Sequence, residues 1–522
     1  MKRLEPHVLR LLELTAAIVI PLAFLLFVRV YVLCPDGEYD SDSFYHAAMA
    51  EFGPEFFAAK EFPNVTLSVW QERFSDKELG FHLLLWGMFR VNDWLGFGNA
   101  PPFHLPSLVL CALLLAAFAL LLHRFRIRNL WRWTLLLVTV SSTFTLRLTA
   151  LRPHLLAITL FVLAAWCFCS PRLMKGNRRW GVLALAGLAF GYCYSNPHFI
   201  LMPVGAYALA VLWKDRDWKA LGYPLVALGG VFVALLLHPQ FPNSFLIWKL
   251  QGVDVVLGML GLGSGLRVGE ELLSSGWEGL LESPFLLFLP LLATWVTCRR
   301  RRIAGLRMNR EQLFLCLLAL GTGIGMCFYY RMAEYGVPAI VAAFAVWERR
   351  TECDPAVRRV CMIWVLLAFL WSAAYFARAP KQTLYPYWGL ADWLHEKGIP
   401  PGTVIGHLSW GDFPQLFYAM PDYRFLCGLD PMFAAGEKRK TMLLLEGLRR
   451  GTKFTKPDRL AELIGSRWLW VSRVGEVAAK RLYLYGYVIA WQSDEGWLFK
   501  LDEPVHAGKP DGIPRLEAPV EP

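Results

Sequence analysis

Eleven apolar blocks of 12 to 23 residues divide the first 376 residues of this chain, and a cluster of Lys and Arg follows every second one. Blocks of this kind match the hydrocarbon thickness of a bilayer. They run Leu11–Leu33, Pro106–Leu122, Trp133–Phe144, Leu155–Phe168, Gly181–Tyr194, Phe199–Trp213, Leu221–Leu237, Pro284–Thr297, Leu313–Tyr329, Tyr335–Trp347 and Met362–Phe376. The 522 residues are 56% hydrophobic and 18% charged, where soluble proteins carry about 25% charged residues. The chain therefore reads as a polytopic α-helical membrane protein of about eleven spans. The first block is too long for a signal-peptide core and lacks a small-residue cleavage site, so it reads as a retained span.

The charges orient the spans. The N-terminus and the alternate loops hold 24 of the 53 Lys and Arg, and the opposite loops hold nine. Basic residues collect on the cytoplasmic side, so the N-terminus is expected in the cytoplasm, and eleven spans place the C-terminus outside. The net charge of +11 is then an orientation signal, and nucleic acid is not the expected partner. The stretch Lys77–Trp94 is apolar but carries His82, Arg90, Asn92 and Asp93. Counting it as a span would scatter the basic loops over both faces, so it is expected as an interfacial amphipathic helix. The cysteines are dispersed and show neither zinc nor disulfide spacing.

Three regions follow: a membrane module at 1–378, an extracytoplasmic α/β domain at 379–503 and a Pro-rich tail at 504–522 expected to be disordered. The membrane module includes outer loops at 34–104 and 238–282. In the C-terminal domain, strands are expected at Thr403–His407, Arg424–Gly428 and Trp468–Ser472, and a hairpin at Val488–Leu501. Helices are expected at Trp388–Lys397, Phe413–Ala419, Lys438–Arg450, Pro457–Ile464 and Glu476–Tyr485.

The outer loop 34–104 holds eleven acids and four bases. Its acids begin directly beyond the first span, in Asp36-Gly37-Glu38-Tyr39-Asp40-Ser41-Asp42. Charge beside hydrocarbon is costly unless it faces water, a partner or a substrate. Asp40 and Asp42 can bind a divalent cation such as Mg or Mn through oxygen, or one of them can act as a base toward an acceptor hydroxyl. A solvated acidic loop is the plainer alternative. Glu38 and His46 lie close by.

The outer-side arginines suit a phosphate, because Arg grips phosphate oxygens in a fork. Arg152 and Arg331 lie in very short loops and are the preferred candidates; Arg147 and Arg267 are the others. Each can equally reach a lipid headgroup. His154 can ligate a cation, though Arg152 beside it opposes one. His46, His198 and His238 at span mouths can relay protons or make interfacial hydrogen bonds. In the second outer loop, Gly261-Leu262-Gly263-Ser264-Gly265 suits a lid, and Glu270 or Glu271 can add a carboxylate. Asn64-Val65-Thr66 is a formal glycosylation sequon.

The stretch Asp42-Ser43-Phe44-Tyr45-His46 resembles the D-x-x-Y-H segment beyond the first span of oligosaccharyltransferase catalytic subunits. Lys77–Leu84, followed by Arg90, resembles the interfacial helix of protein O-mannosyltransferases and aminoarabinose transferases. Ser409-Trp410-Gly411-Asp412-Phe413 resembles, in degraded form, the WWDYG region of oligosaccharyltransferases, which makes Asp412 a further candidate. The resemblance is to GT-C glycosyltransferases. It implies transfer of a sugar from a polyprenyl phosphate or diphosphate, on the outer face, to a protein, lipid or glycan acceptor. One departure is visible: the loop Arg147–His154 has no acid where oligosaccharyltransferases carry metal ligands, which puts a metal held by two loops in doubt. A transporter or flippase of lipid-linked glycans and a non-catalytic membrane scaffold are the rival readings. The span centres are nearly free of charge and the acids gather at one face, which favours surface chemistry over transport.

Overall fold

The computed structural model describes residues 6–33, 37–96, 103–254, 257, 283–303, 307–349, 354–379, 383–429, 433–434 and 436–502. A helix occupies each of the eleven expected spans. Among the described residues, five helices are long and apolar enough to cross a membrane: Val8–Leu33, His104–Arg124, Trp218–Leu236, Arg310–Phe328 and Pro355–Arg378. A sixth crossing results if Ser142–Thr149 and His154–Phe168, bent by 113° from each other, form one broken span. The helices at the remaining expected spans have 10 to 16 residues. At 1.5 Å per residue that is at most about 24 Å, less than the ~30 Å hydrocarbon core. The protein is thus a multi-pass helical membrane protein.

The segment between the third and fourth expected spans differs from the sequence reading. The expected span Trp133–Phe144 stops at Thr139, and a new helix, Ser142–Thr149, replaces the expected loop. Ser141 causes the break. Its backbone is extended, and its side chain accepts the Phe144 N–H as the cap of the next helix. Elsewhere the helices pack through small residues. A Cβ on Gly187 would lie 1.9 Å from the Ala227 carbonyl oxygen, and one on Gly230 would lie 2.1 Å from that of Ala184. The Arg178–Cys193 and Tyr223–Leu236 helices can approach this closely only because both positions lack side chains.

The C-terminal region holds a four-stranded sheet in the order β1-β2-β4-β3. Here β1 is Ile405–His407, β2 Trp468–Ser472, β3 Val488–Ser493 and β4 Gly496–Lys500. β1 and β2 are parallel, and the other neighbours are antiparallel. The expected strand Arg424–Gly428 is reduced to two bridges, because its edges are shared between two partners. Arg424 bridges Val404, and Phe425 bridges Val65 in the first outer loop. The Phe425 N–H donates to the Asn64 carbonyl at 2.6 Å, and Thr66 N–H returns a bond to the Phe425 carbonyl at 2.9 Å. The Asn64 side-chain amide donates to the carbonyls of Pro421 and Tyr423, so the nitrogen of the formal sequon is already engaged.

Aromatic residues seal this junction. Tyr45, Phe62, Trp70 and Phe74 of the first outer loop pack with Phe413, Phe417 and Phe425 in one buried cluster. A second bridge joins Glu38 to Leu384. The loop that leaves the first helix is therefore built into the C-terminal region.

Glu38 and Arg29 form a fully buried ion pair across the end of that first helix, and Arg29 Nε also donates to His104 Nδ1 at 3.1 Å. Removing one member strands the other charge. Arg29→Met is therefore expected to destabilise the protein by about 3–5 kcal/mol, and Arg29→Met/Glu38→Leu to recover most of that loss. Heat unfolding in detergent measures both; a double variant no more stable than the single one would contradict the assignment.

Candidate active site

The acidic run is held in place residue by residue. Glu38 turns inward to Arg29 and accepts its neighbour's Tyr39 N–H at 2.9 Å. The Tyr39 hydroxyl donates to the Leu146 carbonyl. Asp40 Oδ2 accepts the Ser43 N–H and hydroxyl at 3.2 and 3.1 Å, and the Ser43 hydroxyl oxygen accepts Leu151 N–H at 3.2 Å. Asp42 opens the Asp42–Phe52 helix, where a carboxylate is favoured by the helix dipole. These bonds fasten the loop beyond the first span to the segment 146–151 and so fix Asp40 and Asp42 beside Arg152.

Arg152 lies between the two carboxylates. Its Nη2 donates to Asp42 Oδ2, and its Nη1 is 3.6 Å from Asp40 Oδ1. All three side chains keep some exposure: 12% for Arg152, 17% for Asp40 and 23% for Asp42. Glu38 has none, so Asp40 and Asp42 are reachable and Glu38 is structural.

Arg147 and Arg331 meet a partner that the sequence reading passes over, Glu334. Arg147 Nε donates to Glu334 Oε1 at 2.8 Å, and Arg331 Nε is 3.9 Å from the same oxygen. The signal available in sequence was the three-residue step from Arg331 to Glu334 at the head of an apolar helix. His154 Nε2 contacts the Arg147 carbonyl at 2.6 Å, and Arg147, Arg152 and Arg331 all lie within electrostatic reach of His154. Three of the four candidate arginines thus share one neighbourhood. The fourth, Arg267, lies outside the described residues, as do Glu270, Glu271, the expected glycine lid and the tail 504–522.

Two concavities open near this cluster. One, of about 720 Å³, has Ser41 on one wall and Tyr385, Trp388, Asp412, Arg449 and Arg473 on others. It connects the acidic loop to the C-terminal region. The other, of about 620 Å³, is an apolar groove between the helices Leu289–Ile303, Arg310–Phe328 and Ala333–Glu348, lined by Pro290, Leu320, Ile324, Cys327 and Phe344 among others. Its wall on the Arg310–Phe328 helix reaches Met326 and Cys327, four residues before Arg331 in the chain.

His46 enters a buried chain that the sequence does not announce. Its Nδ1 is 2.9 Å from His82 Nε2, and His82 Nδ1 is 2.7 Å from Asp76 Oδ2. Burial raises the Asp76 carboxyl, but its contacts with His82 hold it below the usual range. An ionised Asp76 makes His82 Nδ1 a donor to it. His238 Nε2 contacts the Asp76 carbonyl at 3.1 Å. This chain anchors the far side of the Asp42–Phe52 helix to the Leu79–Trp94 helix.

Solved structures share the fold. The archaeal oligosaccharyltransferase AglB from Archaeoglobus fulgidus, in complex with an inhibitory peptide and a dolichol-phosphate, matches with a TM-score of 0.59 at 11% identity over 94% of this chain and 75% of its own. ArnT from Cupriavidus metallidurans bound to undecaprenyl phosphate matches with a TM-score of 0.53 at 12% identity, covering 97% of this chain and 100% of its own. The chain therefore shares the fold of these two proteins. The Archaeoglobus fulgidus enzyme is also known in complex with Zn and sulfate, matching with a TM-score of 0.56 at 13% identity over 94% of this chain and 74% of its own. No family model matches the chain, and no curated protein matches it in sequence. Among the described residues, no group of three or more His, Cys, Asp or Glu side chains is placed to hold one metal ion.

Asp412 lines the larger cleft from a buried position. The Tyr387 hydroxyl donates to its Oδ1 at 3.3 Å, and burial pushes its carboxyl up to about 6 against the pull of Ser472 and Tyr387. The folded state then holds this proton more tightly than the unfolded chain does. The resulting stabilisation is complete below the ordinary value of 3.8 and is lost as the pH rises through about 6. Asp412→Asn is expected to stabilise the protein at pH 8 by on the order of 3 kcal/mol and to leave it unchanged at pH 4. Thermal unfolding at the two pH values checks this; an equal effect at both would contradict it.

Proposed function

We propose that the protein is a membrane glycosyltransferase that moves a sugar from a polyprenyl-phosphate-type lipid to an acceptor on the outer face of the membrane. The observation that carries this reading is the junction of three features at one place. Asp40 and Asp42 flank Ser41, which lines a cleft shared with the C-terminal region, guanidinium groups gather next to them, and an apolar groove ends four residues before Arg331 in the chain. The dolichol-phosphate and undecaprenyl phosphate in the titles of the fold's solved relatives support a lipid-linked donor.

In this reading the isoprenoid chain lies in the groove between the helices Leu289–Ile303, Arg310–Phe328 and Ala333–Glu348, and its phosphate meets Arg147 and Arg331. Glu334 holds those two side chains ready. The acceptor occupies the cleft between Ser41 and Asp412. Its nucleophilic oxygen or nitrogen attacks the anomeric carbon of the sugar, the bond from that carbon to the phosphate oxygen breaks, and the lipid phosphate leaves with the electron pair. Asp42 orients the nucleophile and takes its proton. Arg147 and Arg331, with Arg152 close by, stabilise the negative charge that grows on the phosphate. The outer loop 34–104 and the region 379–503 then form one extracytoplasmic assembly above about eleven spans, with the N-terminus in the cytoplasm and the chain in the cytoplasmic membrane.

Purified protein in nanodiscs, incubated with a panel of radiolabelled polyprenyl-phosphate sugars and envelope extract, tests the reading. Wild-type protein is expected to release label from at least one donor into an acceptor. Asp42→Asn is expected to lower that rate by about 10²–10⁴-fold while membrane insertion is unchanged. Undiminished transfer by Asp42→Asn rejects the role of Asp42, and no transfer from any donor rejects the proposal.

A further inference from the structure

We infer that Arg152 serves as a built-in cation in place of a divalent metal ion, so that the paired carboxylates Asp40 and Asp42 work without one. One solved structure of this fold is a complex with Zn and sulfate. The donor set of this chain does not suit one. A hard divalent ion such as Mg²⁺ is held by one or two carboxylates, with water filling its remaining positions, so it needs lone pairs on those carboxylates that are not already taken. Asp40 Oδ2 already accepts the Ser43 N–H and hydroxyl. Asp40 Oδ1 and Asp42 Oδ2 face the two ends of the Arg152 fork.

Other candidate ligand side chains are also engaged. Glu38 is buried against Arg29, and Glu334 is held by Arg147 and Arg331. His154 Nε2 faces a carbonyl oxygen at 2.6 Å and must therefore carry the proton, which removes that nitrogen as a ligand. Its Nδ1 is sealed from solvent.

The charges point the same way. Among the described residues, Arg147 and Arg331 face Glu334, and Arg152 faces Asp40 and Asp42. A divalent ion at Asp40 and Asp42 would sit against a guanidinium. A planar fork with fixed N–H donors can do part of what an ion does here. It holds two carboxylates at a set separation and lowers their mutual repulsion. It cannot act as a strong Lewis acid, so the burden of charge stabilisation passes to the arginines around the leaving phosphate.

The inference concerns the reaction floor of the proposed transferase, but its test needs neither donor nor acceptor. Mn²⁺ is titrated into metal-stripped full-length protein in detergent, and bound ion is read from the loss of the free-ion electron paramagnetic resonance signal. Wild-type protein is expected to bind no stoichiometric Mn²⁺ up to about 1 mM, at the weak end of carboxylate cation sites. Arg152→Asp is expected to bind one Mn²⁺ per chain at least tenfold more tightly than wild type. Arg152→Gln, closer in size to arginine, is the second variant if Arg152→Asp does not fold, with the same gain expected. One Mn²⁺ bound by wild type and lost in Asp40→Asn/Asp42→Asn overturns the inference. So does a folded Arg152 variant that binds no more tightly than wild type. A protein that excludes Mn²⁺ yet transfers no sugar defeats the proposed function alone, and one that transfers sugar only with bound metal defeats this inference alone.

Discussion

Carboxylates placed where a helix leaves hydrocarbon need a counter-charge, and here Arg29 of the first helix and Arg152, in the turn between the Ser142–Thr149 and His154–Phe168 helices, supply it. Arg29 takes Glu38 into a fully buried pair, and Arg152 takes Asp40 and Asp42 into a partly open one. The difference in exposure separates structure from chemistry. A buried pair contributes little net stability yet is costly to break, so Glu38 pins the path of the chain. The open pair leaves Asp42 partly exposed, next in the chain to Ser41, which lines the cleft.

That anchoring explains why the membrane helices and the C-terminal sheet act as one frame. Residues 64–67 add backbone bonds to Phe425 and Leu426, Leu384 pairs with Glu38, and the Asp42–Phe52 helix lies in the same aromatic cluster as the Phe413–Ala419 helix. The His46–His82–Asp76 chain ties the other side of the Asp42–Phe52 helix to the interfacial stretch. Asp42 is thereby located by contacts in three directions, and the cleft before it is walled by both halves of the protein. Rigid support of this kind lets a carboxylate and a leaving-group site keep a fixed separation.

Much of this was legible in the sequence because it rests on local pattern. Apolar blocks marked the helices, and alternation with turn residues marked β2 and the β3–β4 hairpin. The acidic run and the short loops at Arg152 and Arg331 marked side chains that the fold gathers around Arg152 and His154. What escaped rests on partners distant in sequence. Glu334 pairs with Arg147 across 187 positions, and a glutamate at the head of an apolar helix carries no local mark of such a partner. Asp76 and His82 are likewise ordinary polar residues until the fold brings His46 to them. The helix break at Ser141 was missed because Trp133–Phe144 is apolar enough to read as continuous. The strand expected at Arg424–Gly428 has the right composition, but residues 64–67 compete for its edge.

The central claim is that a lipid phosphate meets the arginines around Glu334 within reach of Asp42. An electron cryomicroscopy map of the protein in nanodiscs with undecaprenyl phosphate tests it most directly. The account predicts phosphate density in hydrogen-bond contact with Arg147 or Arg331, its isoprenoid along the Leu320–Ile324 groove, and Asp42 facing the same space. Phosphate bound at the opposite helix ends, near Arg132 or Arg300, or separated from Asp42 by packed side chains, would contradict it.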